Sequence, residues 1–401
     1  MNTQYGIVLM VFILAILGTK INAQQTVTDS AVLARLQALE QHAADRKPGE
    51  DNFMVAGLVT FGLVSHHTNA DGVTTKSNSI VDGDNFEFSP LFLWRHGSKF
   101  LMEFEPSFAG GELGVNWADI SYFAAPGLIV RAGYLVLPFG SYSKRLAAGW
   151  INKLATDPIG VADLPPLTDY GVEAEGGFQA GTMKWNYDVA ISNGMQLNQD
   201  GSIQNAGLAP TNNNKNFTGR IGWLPFANSA LELGISGMTG KLGDPGSKFQ
   251  SARSNMFAGD LNLIENISAL QLNIKGQYNV IDITQSEYTN PADSSNYTFS
   301  NRTTTGYIMV ALRPVLSSND FIKNLEIAAR YGNYTTPQNS LMGTKDNSLA
   351  LGINYWISWR SVIHLTYEGI KSKSTISENL GGTPGAIEKN NSIYLQFSIQ
   401  L

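Results

Sequence analysis

Residues 268–283 read SALQLNIKGQYNVIDI, and apolar side chains alternate with polar ones along this stretch. The apolar set is Leu270, Leu272, Ile274, Tyr278 and Val280, and the polar set is Gln271, Asn273, Lys275, Gln277 and Asn279. A period of two places these sets on opposite faces of a β-strand. The same alternation recurs at 183–191 and at 393–401. Repeated strands of about ten residues with one fully polar face are typical of a barrel with lipid outside and water inside.

The composition of this chain differs from that of a typical soluble domain. Charged residues make up 15% of the 401 residues, against roughly 25% in soluble domains. Cysteine is absent, which excludes disulfides, a thiolate nucleophile and a lipidated cysteine anchor. The net charge of −6 argues against a nucleic-acid partner.

The first residues predict export. Residues 7–18 (IVLMVFILAILG) form an apolar run that is too short to cross a bilayer, and the small residue Ala23 follows. This pattern predicts a cleaved signal peptide at 1–23 rather than an uncleaved anchor. No later stretch has the 18 or so apolar residues of a membrane helix. An integral membrane protein with this sequence would therefore be a β-barrel, because lipid leaves no partner for free backbone amides.

Residues 24–52 predict a short periplasmic helix followed by a linker. Val32, Leu36, Leu39 and Ala43 recur at spacings of four, three and four, which places them on one helix face. Two readings stay open: a short coiled coil that ties three subunits together, or an amphipathic helix lying against the barrel. Two heptads alone are marginal for a coiled coil.

Residues 53–401 contain sixteen strand candidates, joined by alternating long and short connections. They are 53–65, 85–95, 98–108, 112–123, 127–139, 169–178, 182–192, 217–224, 230–239, 253–263, 268–283, 303–313, 324–334, 347–357, 359–370 and 390–401. Outer-membrane barrels alternate short periplasmic turns with longer outer loops. The predicted fold is all-β: an antiparallel transmembrane β-barrel of about 16 strands, preceded by the short periplasmic helix. The connections at 109–111 and 314–323 depart from this alternation of short and long connections, which leaves a margin of two in the predicted number of strands.

Strand parity predicts which charges face the barrel interior, because an Arg or Lys facing lipid at mid-membrane costs about 2–4 kcal/mol. The predicted interior basic residues are Arg131, Lys184, Arg220, Lys275, Arg313 and Arg330. The predicted interior acidic residues are Glu103, Glu105, Asp188, Glu232, Asp260, Glu326 and Glu368. Six against seven predicts no ion preference. The charges either line a wet channel or pair across the wall and rigidify it.

The longest connection, 140–168, is predicted to fold inward and narrow the lumen. Loops beyond about 12–15 residues are usually functional or disordered, and apolar residues such as Leu146, Trp150 and Ile151 disfavour disorder. The charged residues expected at this constriction are Lys144, Arg145, Lys153 and Asp157. An outer lid or a clasp between subunits is the alternative.

At this loop the chain resembles a known family. Residues 131–140, RAGYLVLPFG, are similar to the R-x-G-x-x-x-x-P-F-G strand end of porins related to the phosphate-selective porin O and P family, and 156–159 and 169–172 resemble its continuation. The similarity covers 127–178. It implies a sixteen-stranded, homotrimeric porin in the outer membrane of a Gram-negative bacterium, whose third outer loop constricts the lumen. The implied partners are the lipid bilayer and small polar solutes or ions. Phosphate selectivity is not implied, because acidic residues are interspersed among the predicted interior basic residues.

Two other functions stay open on sequence. An outer-membrane hydrolase would need a nucleophile and a base, but no G-x-S-x-G motif accompanies His364, which we expect to be a polar lumen residue. His66 and His67 with the loose carboxylates of Asp71, Asp82 and Asp84 are a weak metal signal. We therefore predict no catalytic residues, no metal ligands and no cofactors. A barrel that serves as a scaffold or adhesin is the second alternative.

Overall fold

The computed structural model describes residues 52–70, 72–80, 86–162, 164–165, 167–205, 207, 214–284 and 286–401. The predicted signal peptide, the predicted helix with its apolar stripe, and Asp71, Asp82 and Asp84 lie outside these residues. The strands are β1 (Asn52–Ala70), β2 (Val73–Ile80), β3 (Glu87–His96), β4 (Phe100–Ala109), β5 (Glu112–Ala125), β6 (Leu128–Val136), β7 (Thr168–Ala180), β8 (Met183–Ser192), β9 (Met195–Leu197), β10 (Ile203–Asn205), β11 (Asn216–Leu224), β12 (Leu231–Lys241), β13 (Arg253–Ile267), β14 (Leu270–Ile283), β15 (Tyr288–Thr289), β16 (Asn296–Tyr297), β17 (Arg302–Arg313), β18 (Leu325–Thr335), β19 (Thr344–Ser358), β20 (Ser361–Ser374) and β21 (Ile387–Gln400). Three short helices join them: a π-helix at Tyr142–Leu146, α1 (Asp320–Lys323) and a 3₁₀-helix at Glu378–Leu380.

These strands close into one antiparallel barrel. Neighbours in sequence pair with each other, and β1 pairs with β21 from Leu58↔Gln400 to Ala70↔Glu388. On its other edge β1 pairs with β3 through residues 52–60 and with β2 through residues 63–70, so β2 and β3 share one position. The two-stranded sheets β9–β10 and β15–β16 lie in connections. The remaining strands give sixteen positions, which confirms the predicted fold class.

The connections alternate between the two ends of the barrel. Those at one end, the short-turn end, are 97–99, 126–127, 181–182, 225–230, 268–269, 314–324 and 359–360; those at the other, the long-loop end, are 71–72, 110–111, 137–167, 193–215, 242–252, 284–301, 336–343 and 375–386. The 110–111 connection is short because Gly110 and Gly111 both have positive φ, as a tight two-residue turn requires. Within the described part of the chain, no helix is long and apolar enough to cross a membrane.

The predicted alternation sets the two faces of the wall. On β14, Tyr278 is 49% exposed, whereas its neighbours Gln277 and Asn279 are buried inside. On β21, Leu395 is 44% exposed and Ser398 is fully buried. The outer surface is therefore largely apolar and the inner surface largely polar, as parity predicts.

Aromatic residues gather on the outside near both ends of the barrel. Near the short-turn end the Trp185 and Trp223 rings stack with their centroids 6.0 Å apart, and near the long-loop end Tyr134 and Tyr170 lie 4.8 Å apart. Such pairs add stability beyond their buried area. Phe139, Tyr307 and Trp356 are instead buried inside the barrel. Phe139 follows a strand whose end turns inward, and the other two have inward parity.

The first long connection is more ordered than the sequence predicts. The predicted loop 66–84 instead continues β1 to Ala70 and returns as β2, with Ser65↔Asn78 and Ala70↔Val73 in register. The Thr- and Ser-containing run VTTKSNSI favours an extended hairpin arm. His66 and His67 therefore lie on a strand.

One side of the barrel interior is filled. Met238 on β12, Met256 on β13 and Ile281 on β14 face inward and pack with Phe139 in a buried cluster, the inner apolar cluster. Its other members are Leu137, Ala190, Met195, Leu197, Leu242, Phe249, Ala252, Ala258, Ile283, Tyr288 and Phe299. Long-loop residues thus cover the inner wall of β12–β14, and open space is left to the opposite side.

Candidate functional site

The connection 137–167, the inner loop, enters the barrel at Gly140. The Gly140 amide donates to Ser236 Oγ at 3.0 Å, and the amides of Ser141 and Tyr142 both donate to Gln277 Oε1 at 2.9 Å. Gly140 has φ +69, and a Cβ there would lie 2.1 Å from Gln277 Nε2. Glycine therefore permits both the left-handed turn and the close approach to β14.

Just after this turn, the π-helix aims Lys144 at three carboxylates on β7 and β8. Its ammonium bonds to Glu173, and it lies 2.7 Å from Glu175 Oε2 and 3.0 Å from Asp188 Oδ1. Burial alone would lower the pKa of Lys144, but the three carboxylates outweigh it and raise the pKa above its ordinary value. The three acids have oxygens within 4.8 Å of one another, and the lysine supplies the positive charge between them.

Ion pairs extend from Lys144 in both directions around the wall. Arg145 bonds to Asp188 and to Glu232, each at 3.0 Å. Further pairs join Arg220 to Glu232 and Asp260, and Arg131 to Glu103, Asp119 and Glu175. We call this continuous set from β4 to β13 the charge network. It ties the start of the inner loop to half of the barrel.

The middle of the inner loop, residues 149–157, is bound to the opposite wall mainly through its backbone carbonyls. Arg330 NH2 donates to Thr156 Oγ1 at 2.7 Å and to the Asp157 carbonyl at 2.8 Å. Lys275 donates to the Ile151 carbonyl at 2.6 Å. A His364 ring nitrogen lies 3.2 Å from the Gly149 carbonyl, and the His364 side chain is fully buried. These side chains satisfy buried carbonyls that would otherwise cost stability.

The predicted constriction residues take different positions. Lys144, Arg145 and Asp157 line the open space beside the inner loop. Lys153 turns to the wall, where it pairs with Glu326 at 3.2 Å and lies 4.6 Å from the Trp356 ring centroid. It does not border the open space.

The predicted wall residues also divide by role. Arg131 and Glu103 line the open space. Asp188 and Arg220 belong to the charge network, whereas Lys275, Arg330 and Glu326 hold the inner loop. Lys184 bonds to the Ala227 carbonyl and Ser229 Oγ at the short-turn end, away from the loop.

An open space of about 990 Å³ remains between the inner loop and the wall formed by β1, β3–β6, β20 and β21. We call it the passage. Its lining includes Ala56 and Gln400, near the short-turn end, and Val136 and Thr168, at the long-loop end. The passage therefore follows most of the length of the barrel and lies off its axis.

Several inward-facing residues were not predicted from the sequence. Asp119, Glu173 and Glu175 all join the charge network. Their inward orientation could have been predicted from the strand alternation, because Ile120 and Val172 beside them are apolar and face outward. The alternation does not predict the orientation of Asn116, because a bulge opposite Glu105 and Pro106 shifts the register there. In the structure, Asn116 Nδ2 donates to Glu105 Oε1 at 2.8 Å.

Comparison with solved structures finds similar barrels. The outer membrane channel DcaP of Acinetobacter baumannii aligns over 88% of this chain and 97% of its own, with 10% identity and a TM-score of 0.55. The anion-selective porin from Comamonas acidovorans aligns over 88% and 100%, with 11% identity and a TM-score of 0.53. No protein-family model and no curated protein matches the sequence. At these identities the likeness shows the fold alone: a porin-type barrel.

Proposed function

We propose that this protein is an outer-membrane porin, a passive diffusion channel for small hydrophilic solutes or ions that is constricted by the inner loop. The observation that carries the proposal is the passage: a space of about 990 Å³ runs beside an anchored loop and is lined by charged side chains. The apolar outer surface suits lipid, and a closed barrel leaves no unpaired strand edge in it. The sequence 131–140 favours a relationship to the O and P porins, without their phosphate selectivity.

The same proposal extends to location and assembly. The apolar run at 7–18 supports export by a signal peptide, 1–23, that is cleaved before insertion into the outer membrane. The Val32, Leu36, Leu39 and Ala43 stripe supports a homotrimer, because three such helices would each bury one apolar face. The apolar outer wall would supply the larger contact.

Conductance tests the function directly. We expect detergent-extracted protein to change its electrophoretic mobility on boiling, as a barrel unfolds, and to give discrete current steps in a planar lipid bilayer. Boiled protein reconstituted in the same way is the control. A barrel that shows the mobility change but passes no current would contradict the channel and leave a scaffold or adhesin.

A further inference from the structure

The charge network has unequal numbers of the two signs. It contains four basic side chains, Arg131, Lys144, Arg145 and Arg220, and seven acidic ones, Glu103, Asp119, Glu173, Glu175, Asp188, Glu232 and Asp260. Each basic group is shared by two or three carboxylates, so the network keeps a formal charge of −3. Glu173 shows the shortage locally: it is fully buried, and its Oε2 has no hydrogen-bond partner.

Two further carboxylates border the passage. Glu87 and Glu105 both line it, and among the described residues neither forms an ion pair with a basic side chain. Glu105 accepts from Asn116 at 2.8 Å, and Glu87 accepts from Ser89 at 2.5 Å. Neutral donors orient these two carboxyl groups, so no basic partner offsets their charge in the ionised state. Trp117, which follows the bulge, lines the passage beside them, and the face of an indole ring attracts cations.

The other charges that hold the inner loop do not restore the balance. Lys153 pairs with Glu326 and Arg330 with Glu368, one basic group to one acid each. Among the described residues neither Lys275 nor Asp157 has an ion-pair partner, and their formal charges sum to zero; Lys275 donates to the Ile151 carbonyl and Asp157 accepts from Tyr142 at 2.6 Å. The passage lining itself has an excess of acid, with three basic and five acidic side chains: Arg131, Lys144 and Arg145 against Glu87, Glu103, Glu105, Asp157 and Glu368.

Given the proposed channel, on which this inference rests, we propose that the passage selects cations over anions, with Glu87, Glu105 and Trp117 as its cation-binding site. A narrow water-filled space between low-dielectric walls focuses the field of its lining charges and concentrates ions of the opposite sign. Rings of Asp and Glu give cation channels their selectivity in this way. The permeating solutes favoured are inorganic cations and small organic molecules that carry an ammonium or guanidinium group.

The test is the reversal potential of the full-length protein in a planar bilayer under a KCl gradient. We expect the reversal potential of the wild type to have the sign that indicates a preference for K⁺ over Cl⁻. Glu87→Gln with Glu105→Gln should bring the K⁺ to Cl⁻ permeability ratio severalfold closer to unity while the channel still conducts. The matched control is Glu112→Gln with Glu378→Gln, which removes two exposed carboxylates that do not line the passage and should leave the ratio unchanged.

The outcomes separate this inference from the proposed function. Absence of current from the wild type would contradict the channel itself. Current with chloride selectivity, or a ratio that the Glu87 and Glu105 substitutions leave unchanged, would overturn the cation site alone. The boiling-dependent mobility change shows whether each variant is folded. If the double variant does not fold, Glu87→Gln alone, at a half-buried position, carries the same expectation with a smaller shift.

Discussion

At the scale of single residues, Gly140 determines where the inner loop leaves the wall. Gly140→Ala would force an L-residue into the left-handed region, at about 1–2 kcal/mol, and would push its Cβ into the Gln277 amide that holds the next two backbone amides. We expect a displaced loop, a higher single-channel conductance and a lower temperature for the mobility change.

A second glycine provides the control for this substitution. Gly181 has a similar φ, +64, but a Cβ there would have no atom within 4 Å. Gly181→Ala should therefore carry the backbone strain without moving the inner loop. Equal conductance changes in both variants would show that the contact with Gln277 does not position the loop.

Lys144 is the second residue with a clear expected effect. Lys144→Met would leave Glu173 buried without its basic partner and Asp188 with Arg145 alone, and breaking a buried pair costs about 3–5 kcal/mol. We expect a lower unfolding temperature in detergent and a reversal potential shifted further toward cations. Lys184→Met, at the short-turn end, is the comparison and should have little effect on either measurement. A reversal potential that moves toward anions would argue against the charge network as the source of selectivity.

At the scale of elements, the inner loop is an insertion that the wall holds, and the strands of the wall pair with one another without it. The backbone ladders of β6 with β7 and of β14 with β17 involve no residue from the middle of the loop. Replacing 147–160 with a short Gly-Ser linker should therefore leave the barrel folded and widen the passage. We expect larger current steps with the mobility change retained.

The control for this deletion is another loop at the same end. Shortening 375–386, which contributes no residue to the lining of the passage, should leave the conductance unchanged. Smaller current steps after deletion of 147–160 would show that the loop supports the passage instead of narrowing it.

The strands could be predicted from the sequence, and most of the inner surface with them. Alternation fixes the face of a side chain such as Lys275, because a one-residue shift would turn the whole apolar set to the wrong side. It does not fix the partner. Lys153 and Lys144 have the same charge and lie in the same loop, yet the fold sends one to Glu326 and the other to the passage.

The net charge along the passage could not be predicted from the sequence for a related reason. Six basic residues against seven acids predict no preference, but three acids with readable parity, Asp119, Glu173 and Glu175, were missing from that count. Position matters as well, because ion pairs cancel charges such as Arg330 locally. Selectivity depends on which charges stay uncancelled along the passage, and only the packed loop determines this.

At the scale of the whole molecule, the proposed trimer gives a prediction about residues outside the described structure. Deleting 26–45 would remove the apolar stripe that we propose ties three subunits together, while the strands from β1 onward stay intact. We expect the trimer to dissociate at a lower temperature in detergent and the monomer to keep its boiling-dependent mobility change. Replacing Leu36 and Leu39 with Gln should have the same effect with the helix length retained. An unchanged trimer melting temperature would assign the helix another role, such as contact with a periplasmic partner.

The seam between β1 and β21 has a consequence for folding kinetics. Its register joins Leu58 to Gln400, and the Leu401 amide donates to the Gly57 carbonyl at 2.9 Å, so the contacts that close the sheet connect its first and last strands. Such high contact order slows folding, because the entropy of closing so long a segment is lost before any pairing compensates for it. The hairpins can form early from local contacts, but the cylinder is complete only when the last strand to leave the ribosome meets the first.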